Sequence, residues 1–191
     1  MIDVKNVAEF LEYLEKDSSA MVVCGASLID FRGNKYKTIQ DTVKKLVSPV
    51  VLRKKPAKLK SRKVLERIMV GNFIYFPAII WRTDLVKENQ FRSGYGTCLD
   101  LDLIVRTLFK VPEILYWPKM HILKYRRHIK SDSSQAAQES SRYESELKIS
   151  SEVASAAILR KWWLLYVFAR IAITARLHRF LTKYEMIKIR N

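Results

Sequence analysis

The chain has 191 residues, of which 49% are hydrophobic, and only 5 glycines and 5 prolines, a composition that excludes a disordered or low-complexity protein. Its two cysteines, without a CxxC or Cys/His pattern, argue against a disulfide framework and a zinc site. Thirty-five lysines and arginines against 19 acids give a formal net charge of +16, which predicts a polyanionic partner: nucleic acid, anionic lipid headgroups or a sugar-diphosphate ligand.

The first half of the chain is predicted to alternate helices and strands. Apolar residues spaced by three and four predict an amphipathic helix over 4–16, and an uninterrupted apolar run predicts a buried strand over 20–31. Residues 32–34 have the composition of a turn. The basic, proline-flanked run 53–60 is predicted to be a loop, and residues 62–70 a short helix that ends before a glycine.

The second half continues this alternation as far as a polar stretch. A strand with an internal proline is predicted over 73–81, a helical turn over 84–88 and a helix over 98–109. Two short strands, 114–117 and 121–125, are predicted on either side of a further proline.

Changes in composition divide the chain into three predicted segments. Residues 1–130 form a domain, and residues 131–150 are a polar linker that is rich in serine and glutamine. Residues 151–191 form a basic, aromatic helical tail without proline or glycine. No signal-peptide pattern precedes the domain, which predicts a cytoplasmic protein with reduced thiols.

Four motifs in the middle of the chain carry a resemblance to a known family. They are a hydrophobic strand ending in arginine (79–82, IIWR), a loop with glycine and phenylalanine (91–96), an acidic pair opening a helix (100–106, DLDLIVR) and a strand ending in YRRH (125–128). In this order they resemble family 2 glycosyltransferases, and residues 17–36 resemble the strand and turn after that family's metal-binding DxD motif. The resemblance implies an α/β fold: an incomplete GT-A-like mixed sheet flanked by helices, with an amphipathic helical tail at the C-terminus.

The resemblance implies a catalytic role for Asp100. In an inverting transfer, one carboxylate deprotonates the acceptor hydroxyl as it attacks the sugar, and Asp100 stands in the position of this base. A helix N-terminus is expected to favour its ionised form. The alternative is that Asp100 is only a helix N-cap. The acceptor-binding residues implied by the same motifs are Asp102, Tyr95 and Gly96, with helix capping as the alternative for Asp102, while Leu99 replaces the glutamate that the family often has.

Arg126, Arg127 and His128 resemble the family's element near the departing diphosphate, where a cationic or metal-binding group offsets developing charge. His128 and the arginines can equally be surface residues. The family implies a nucleotide-sugar donor and a divalent cation, Mg²⁺ or Mn²⁺. Residues that would bind them are not found in this sequence, which gives no metal ligand. We therefore predict a fragment that is inactive alone and needs an N-terminal half in cis or in trans. We also predict that it exposes an apolar strand edge, which is prone to aggregation.

The tail is predicted to meet an anionic membrane surface through Trp162, Trp163, Phe168, Arg160 and Lys161. Its uncharged runs are too short for a transmembrane span. The alternative is an amphipathic helix that packs on the domain. Membrane attachment would place the protein at the inner face of the plasma membrane, beside a saccharide or lipid-linked acceptor.

Two functional hypotheses follow. The first is a truncated glycosyltransferase of bacterial-type polysaccharide biosynthesis, which transfers a sugar to a glycan or lipid-linked acceptor when complete. The second is a basic protein that binds a membrane surface or nucleic acid without catalysis. Nucleic acid ranks lowest, because no DNA- or RNA-binding motif is present.

Overall fold

The computed structural model describes residues 11–15, 19–30, 32–35, 39–49, 56–126, 141–173 and 175–176. In these ranges the strands are β1 (Met21–Ile29), β2 (Ala57–Lys60), β3 (Ile79–Trp81) and β4 (Glu113–Arg126). The helices are α1 (Ile39–Val47), α2 (Ser61–Val70), α3 (Thr83–Glu88), α4 (Leu99–Lys110), α5 (Ser141–Leu159) and α6 (Trp163–Ile171). Short 3₁₀ turns span Phe76–Ala78 and Gly96–Cys98, and residues 11–14 are helical.

The four strands form one open, mixed sheet in the order β2-β4-β1-β3. β1 and β4 run parallel at the centre, whereas β3 pairs antiparallel with β1 and β2 pairs antiparallel with β4. Helices lie in the long connection between the two parallel strands, as a parallel pair requires. The predicted α/β class, with a mixed sheet flanked by helices and a C-terminal helix, is confirmed.

Alternate residues of the two central strands build apolar layers on both faces of the sheet. The larger core lies on the side of α2, α4, α5 and α6 and includes Met21, Val23, Ile114 and Tyr116 of the sheet. The smaller core lies on the other side and includes Val22, Cys24, Leu115 and Trp117. There the helical residues 11–14 approach the sheet, and the Tyr13 ring meets the Trp117 ring edge-on at 5.2 Å.

Several predicted elements are confirmed at nearly their predicted bounds, namely β1, α2, α3 and α4. The turn at 32–34 is also confirmed: Gly33 has a φ of 90°, and the Asp30 carboxylate accepts the N–H groups of Arg32 and Asn34. Of the helix predicted over 4–16, the described part is 11–15, and its residues 11–14 are helical. The strand predicted over 73–81 is reduced to β3, because Pro77 lies in a 3₁₀ turn.

β4 is one continuous strand where the sequence predicted two, 114–117 and 121–125. Its pairing with β1 slips on both sides of Gly25, so Pro118 is accommodated in an irregularity rather than ending the strand. Gly25 is required at this position, because a Cβ atom there would lie 2.2 Å from the Pro118 carbonyl oxygen. The prediction of two strands overlooked that a bulge can accommodate a proline.

Residues 57–60, predicted as part of a loop, form the edge strand β2, so that prediction is wrong for this part of the run 53–60. Ala57 pairs with Tyr116, and Lys60 with Glu113. Exposed and half-buried residues alternate along β2, as expected for an edge strand with one covered face. The alternating sequence AKLK was the available signal, which the neighbouring proline and the basic charge obscured.

The sequence predicted an exposed apolar strand edge, and in the described sheet the apolar edge strand is the short β3, Ile79–Trp81. The long strands β1 and β4 lie at the centre of the sheet, and the edge strands β2 and β3 have only 4 and 3 residues. Lys58 and Lys60 further oppose edge-to-edge pairing from β2.

The described part of the tail is not one continuous helical run, because residues with positive φ angles, Lys161 and Ala172, interrupt it. α5 begins at Ser141, inside the range 131–150 that was predicted to be a linker, and the chain turns at Lys161 before α6 begins. Lys161 has a φ of 56°. Its N–H donates to the Ile158 carbonyl and the Trp162 N–H donates to the Ala157 carbonyl, both at 2.9 Å. This hydrogen-bond pattern ends many helices and usually has glycine in the position of Lys161.

α5 and α6 belong to the same core as the sheet. Their buried residues in the larger core are Ile149, Val153, Ala154, Ala157, Leu165 and Ala169. The described part of the tail therefore packs on the domain and shares its hydrophobic core.

Candidate functional site

Asp100 is the second residue of α4. The N-cap position is occupied by Cys98, and no side-chain hydrogen bond caps this end of the helix. The Asp100 carboxylate instead accepts the N–H of the next residue, Leu101, at 2.7 Å. The alternative that Asp100 serves as the helix N-cap is therefore wrong.

The electrostatic surroundings of Asp100 differ from the expectation. The side chain is half-buried, and burial raises the pKa of its carboxyl group above the ordinary value of 3.8. The Leu101 N–H and the positive charges of Arg142 and Lys44 lower this pKa, but burial outweighs them. A carboxylate with a raised pKa binds a proton more strongly, which is a property of a general base.

Lys44, whose charge lowers the pKa of Asp100, lies against an aromatic pair near the carboxyl ends of the two parallel strands. The Lys44 Nζ atom lies 3.9 Å from the centre of the Tyr75 ring, and the Tyr75 ring lies 5.8 Å from the Tyr125 ring. Tyr125 stands one residue before the end of β4, beside the end of β1. In open α/β sheets, ligands bind outside the carboxyl ends of parallel strands, and Tyr125 with its neighbour Tyr75 lies at this end of β4.

Asp102 lies on a different side of α4 and is buried. Arg106 donates to one of its oxygens at 2.9 Å, and Arg92 pairs with both oxygens. Arg92 also donates to Glu152 of α5 at 2.9 Å, and the Tyr95 hydroxyl donates to the same carboxylate at 2.5 Å. We call these five residues the Asp102 network. It fastens the loop before α4 to both α4 and α5.

The predicted acceptor-binding residues are thus grouped differently from the expectation. Tyr95 and Asp102 meet in the Asp102 network, where the Arg92 guanidinium lies 4.7 Å and the Lys148 ammonium 4.2 Å from the centre of the Tyr95 ring. Gly96 is exposed and has a φ of 49°, a backbone conformation that favours glycine. A role of Tyr95, Gly96 and Asp102 in acceptor binding stays a prediction.

The predicted diphosphate-binding group is described only in part. Arg126 is the exposed last residue of β4, and Arg127 and His128 lie outside the described residues. In the part of the chain that the structure describes, no three histidine, cysteine, aspartate or glutamate side chains are placed to hold a metal ion together.

The two cysteines, Cys24 and Cys98, are buried, and neither forms a disulfide. Burial raises the pKa of both thiols to about 12. The protonated thiol is a poor nucleophile, so Cys98, although close to Asp100 in sequence, does not compete with it for a catalytic role.

The tail residues predicted to bind membrane differ in exposure. Trp162 and Phe168 are half-buried, and the Trp162 ring stacks on Phe109 with 5.9 Å between the ring centres. Trp163 is 62% exposed, and Arg160 and Lys161 are exposed. Within the described ranges, every helix is too short or too polar to cross a bilayer.

The sequence matches no family model, and no curated protein matches it.

Several residues in the surroundings of Asp100 and Asp102 were not predicted from the sequence. They are Lys44 and Arg142, whose charges act on Asp100, Tyr75 against Lys44, and Arg92 and Glu152 around Asp102. Most come from distant elements, and no spacing rule connects them to α4. The ion pair of Asp102 with Arg106 was predictable, because an acidic and a basic residue four positions apart lie on one side of a helix.

Proposed function

We propose that this chain forms the acceptor-binding side of a family 2 glycosyltransferase, which transfers a sugar from a nucleotide-sugar to a glycan or lipid-linked saccharide. The observation that carries the proposal is the position of Asp100. It is a half-buried carboxylate whose pKa is raised by burial, and the charge of Lys44, which lies against the Tyr75 ring, acts on it. Tyr75 in turn lies near the carboxyl ends of the parallel strands, where open α/β sheets bind ligands. The four motifs of the sequence support the same assignment.

In the proposed reaction, the acceptor hydroxyl attacks the anomeric carbon of the donor sugar while Asp100 takes the hydroxyl proton. The bond between the anomeric carbon and the diphosphate breaks, and the configuration at this carbon inverts. Lys44 and Arg142 favour the ionised form of Asp100 before the proton moves. When bound, the divalent cation implied by the resemblance would offset the charge of the leaving diphosphate.

Acceptor binding can be tested without the donor. The purified chain is applied to an array of immobilised saccharides and polyprenyl-linked saccharides, as wild type, as Asp100→Asn and as Asp84→Asn. Asp84 is a matched control, because it is also the second residue of a helix and accepts the N–H of the following leucine, at 2.8 Å, but it is exposed.

We expect wild type and Asp84→Asn to bind the same saccharides and Asp100→Asn to bind them about tenfold more weakly, since a hydrogen bond to a charged group is lost. Equal binding by the three proteins, or binding of none to any saccharide, would contradict the proposed role of Asp100.

A second candidate function, attachment to an anionic membrane surface, is favoured by the exposed side of α6. Its exposed apolar residues are Trp163, Leu164, Val167 and Ile171. Arg160, Lys161 and Arg170 are exposed around them. Exposed apolar and aromatic residues bordered by cations are typical of helices at a membrane interface. Attachment would also bring the protein to a lipid-linked acceptor, so the two functions are compatible.

Sedimentation with vesicles of phosphatidylcholine and phosphatidylglycerol tests this second function. Trp163→Ser with Val167→Ser should weaken vesicle binding about tenfold or more, because both changes remove exposed apolar area. Binding that is unchanged by this double substitution would contradict a membrane role of α6.

A further inference from the structure

An open groove of about 440 Å³ lies at the end of α4 away from Asp100. It runs between the first turn of α2, the last turn of α4 and the junction of α5 with α6, and its walls include Lys60, Ser61, Phe109, Lys110, Arg160 and Trp162. Asp100 and Lys110 stand at opposite ends of α4, roughly 15 Å apart along the helix axis. The groove is therefore separate from the candidate catalytic site.

The N-terminus of α2 opens into this groove without a cap. No side-chain hydrogen bond caps the helix and its first turn contains no acidic residue, while the Ser61 N–H donates to the Pro112 carbonyl at 3.0 Å. Ser61, the first residue of the helix, is 1% exposed, and its hydroxyl has no hydrogen-bond partner among the described residues. A buried hydroxyl without a partner is unfavourable, and an anion oxygen at this helix end would supply the partner.

Cationic side chains surround this helix end. No carboxylate of the described residues lies within ion-pair distance of Lys60, Lys110 or Arg160, whereas Arg62 shares its charge with Glu66 at 3.0 Å. The last turn of α4 contributes the negative end of a helix dipole, and the charge of Lys110 offsets it. The Arg160 guanidinium is held 4.9 Å from the centre of the Phe109 ring, so it is positioned before any ligand arrives.

Some residues that line the groove are direct chain neighbours of exposed apolar residues at the end of α5 and the start of α6. Arg160 and Trp162 line the groove, and their chain neighbours Leu159 and Trp163 are exposed. A ligand with a phosphate and an adjoining apolar body would contact both surfaces. We propose that this groove binds the phosphate group of an anionic phospholipid at a membrane surface. The inference deepens the second candidate function and does not depend on sugar transfer.

The test compares two charge-matched double variants on vesicles of equimolar phosphatidylcholine and phosphatidylglycerol. Lys60→Gln with Lys110→Gln removes two charges in the groove, and Arg67→Gln with Lys87→Gln removes two exposed charges elsewhere. Both lower the net charge equally, so general attraction to the vesicles falls by a similar amount. Ser61→Ala removes the hydroxyl without changing the charge. Melting temperatures of all variants are measured without vesicles to confirm that each one folds.

We expect the groove variant to bind these vesicles about tenfold or more weakly, and the charge-matched control less than about threefold more weakly. Ser61→Ala should also weaken vesicle binding, while its melting temperature stays at or above that of wild type because an unpartnered hydroxyl is removed. A merely structural Ser61 would leave binding unchanged.

Equal losses of vesicle binding in the groove variant and its control would overturn the proposed phosphate site in the groove and leave the proposal of membrane attachment through α6 intact. No vesicle binding by wild type would overturn both proposals. If wild type binds soluble glycerol phosphate through Lys60 and Lys110 but its vesicle binding does not depend on them, the assignment to lipid is overturned in favour of a free phosphate.

Discussion

Asp100 and Asp84 occupy equivalent places in their helices but differ in their surroundings. Each is the second residue of a helix and accepts the N–H of the leucine that follows. The exposed Asp84 is hydrogen-bonded to Arg82, which lowers the pKa of its carboxyl group, whereas burial raises the pKa of Asp100. The carboxyl groups of two aspartates at the same helix position therefore have pKa values shifted in opposite directions, because their surroundings differ.

The raised pKa of Asp100 predicts an unusual effect of Asp100→Asn on stability. A carboxyl group whose pKa rises on folding stabilises the fold below its ordinary value of 3.8, and this contribution is lost as the pH rises through the folded pKa. At pH 7 the half-buried charge is thus unfavourable, while asparagine can still accept the Leu101 N–H. We expect Asp100→Asn to melt at or above the wild-type temperature at pH 7, in thermal unfolding followed by circular dichroism.

A fall in melting temperature of about 2–4 °C, the effect of losing about 1 kcal/mol in a chain of this size, would contradict this expectation. Such a fall would assign Asp100 a structural role like that of a helix cap.

Lys161 is one of two described residues other than glycine, with Ala172, whose φ is positive. Its φ of 56° lies in the left-handed region, where glycine avoids the steric cost of a side chain. We expect Lys161→Gly to raise the free energy of unfolding by about 0.5–1 kcal/mol in urea denaturation. Lys161→Ala is the control, since it removes the charge and retains the Cβ atom. An equal gain in the alanine variant would show that charge rather than backbone strain is responsible.

At the scale of the element, the Asp102 network positions the loop that precedes α4. Asp102 is buried, and replacing it with asparagine would deprive Arg106 of its carboxylate partner and leave Arg92 with Glu152 alone. We expect Asp102→Asn to lower the free energy of unfolding by about 2–3 kcal/mol, somewhat less than for fully buried pairs because both arginines reach solvent. Urea denaturation measures this change.

The control for this experiment is Glu152→Gln. Glu152 is exposed, and its pair with Arg92 contributes less than about 1 kcal/mol. Equal effects of the two substitutions would contradict the view that Asp102 is the main structural anchor of the loop.

Elements with strong periodicity were predictable from the sequence, and those set by pairing were not. The apolar run of β1 and the spacing of apolar residues in α4 predicted these elements correctly, because the pattern of apolar residues follows directly from which faces are buried. β2 was missed, since its four residues become a strand only by pairing with β4. The break at Lys161 carries no glycine or proline signal, because the backbone there adopts a conformation that lysine rarely takes.

The residues of the candidate site likewise divide into those that were predictable from the sequence and those that were not. Asp100 and the pair of Asp102 with Arg106 were recognisable within α4. Lys44 and Glu152 come near these acids only through the tertiary fold, from α1 and α5. Contacts between distant elements cannot be derived from the spacing of residues along one chain.

At the scale of the whole molecule, the tail helices complete the main core. Ile149, Val153 and Leu165 are almost fully buried against the helices on the sheet. A chain that ends at residue 140 would expose the apolar side of α2 and α4 that these residues cover. We expect this shortened chain to lose cooperative thermal unfolding, whereas the whole chain unfolds in one transition. A cooperative melt of the shortened chain would instead indicate an independent domain, as the predicted division at residue 130 implies.

The claim that Asp100 takes the proton from a saccharide hydroxyl is tested most directly by sugar transfer in cells. Asp100→Asn and the matched Asp84→Asn are introduced into the gene at its own locus, and incorporation of isotope-labelled sugar into lipid-linked and surface glycans is measured. We expect Asp100→Asn to reduce a labelled product by about 100-fold or more, the usual effect of losing a general base, and Asp84→Asn to leave it unchanged. The same glycans in the same amounts from wild type and both variants would contradict the proposed function.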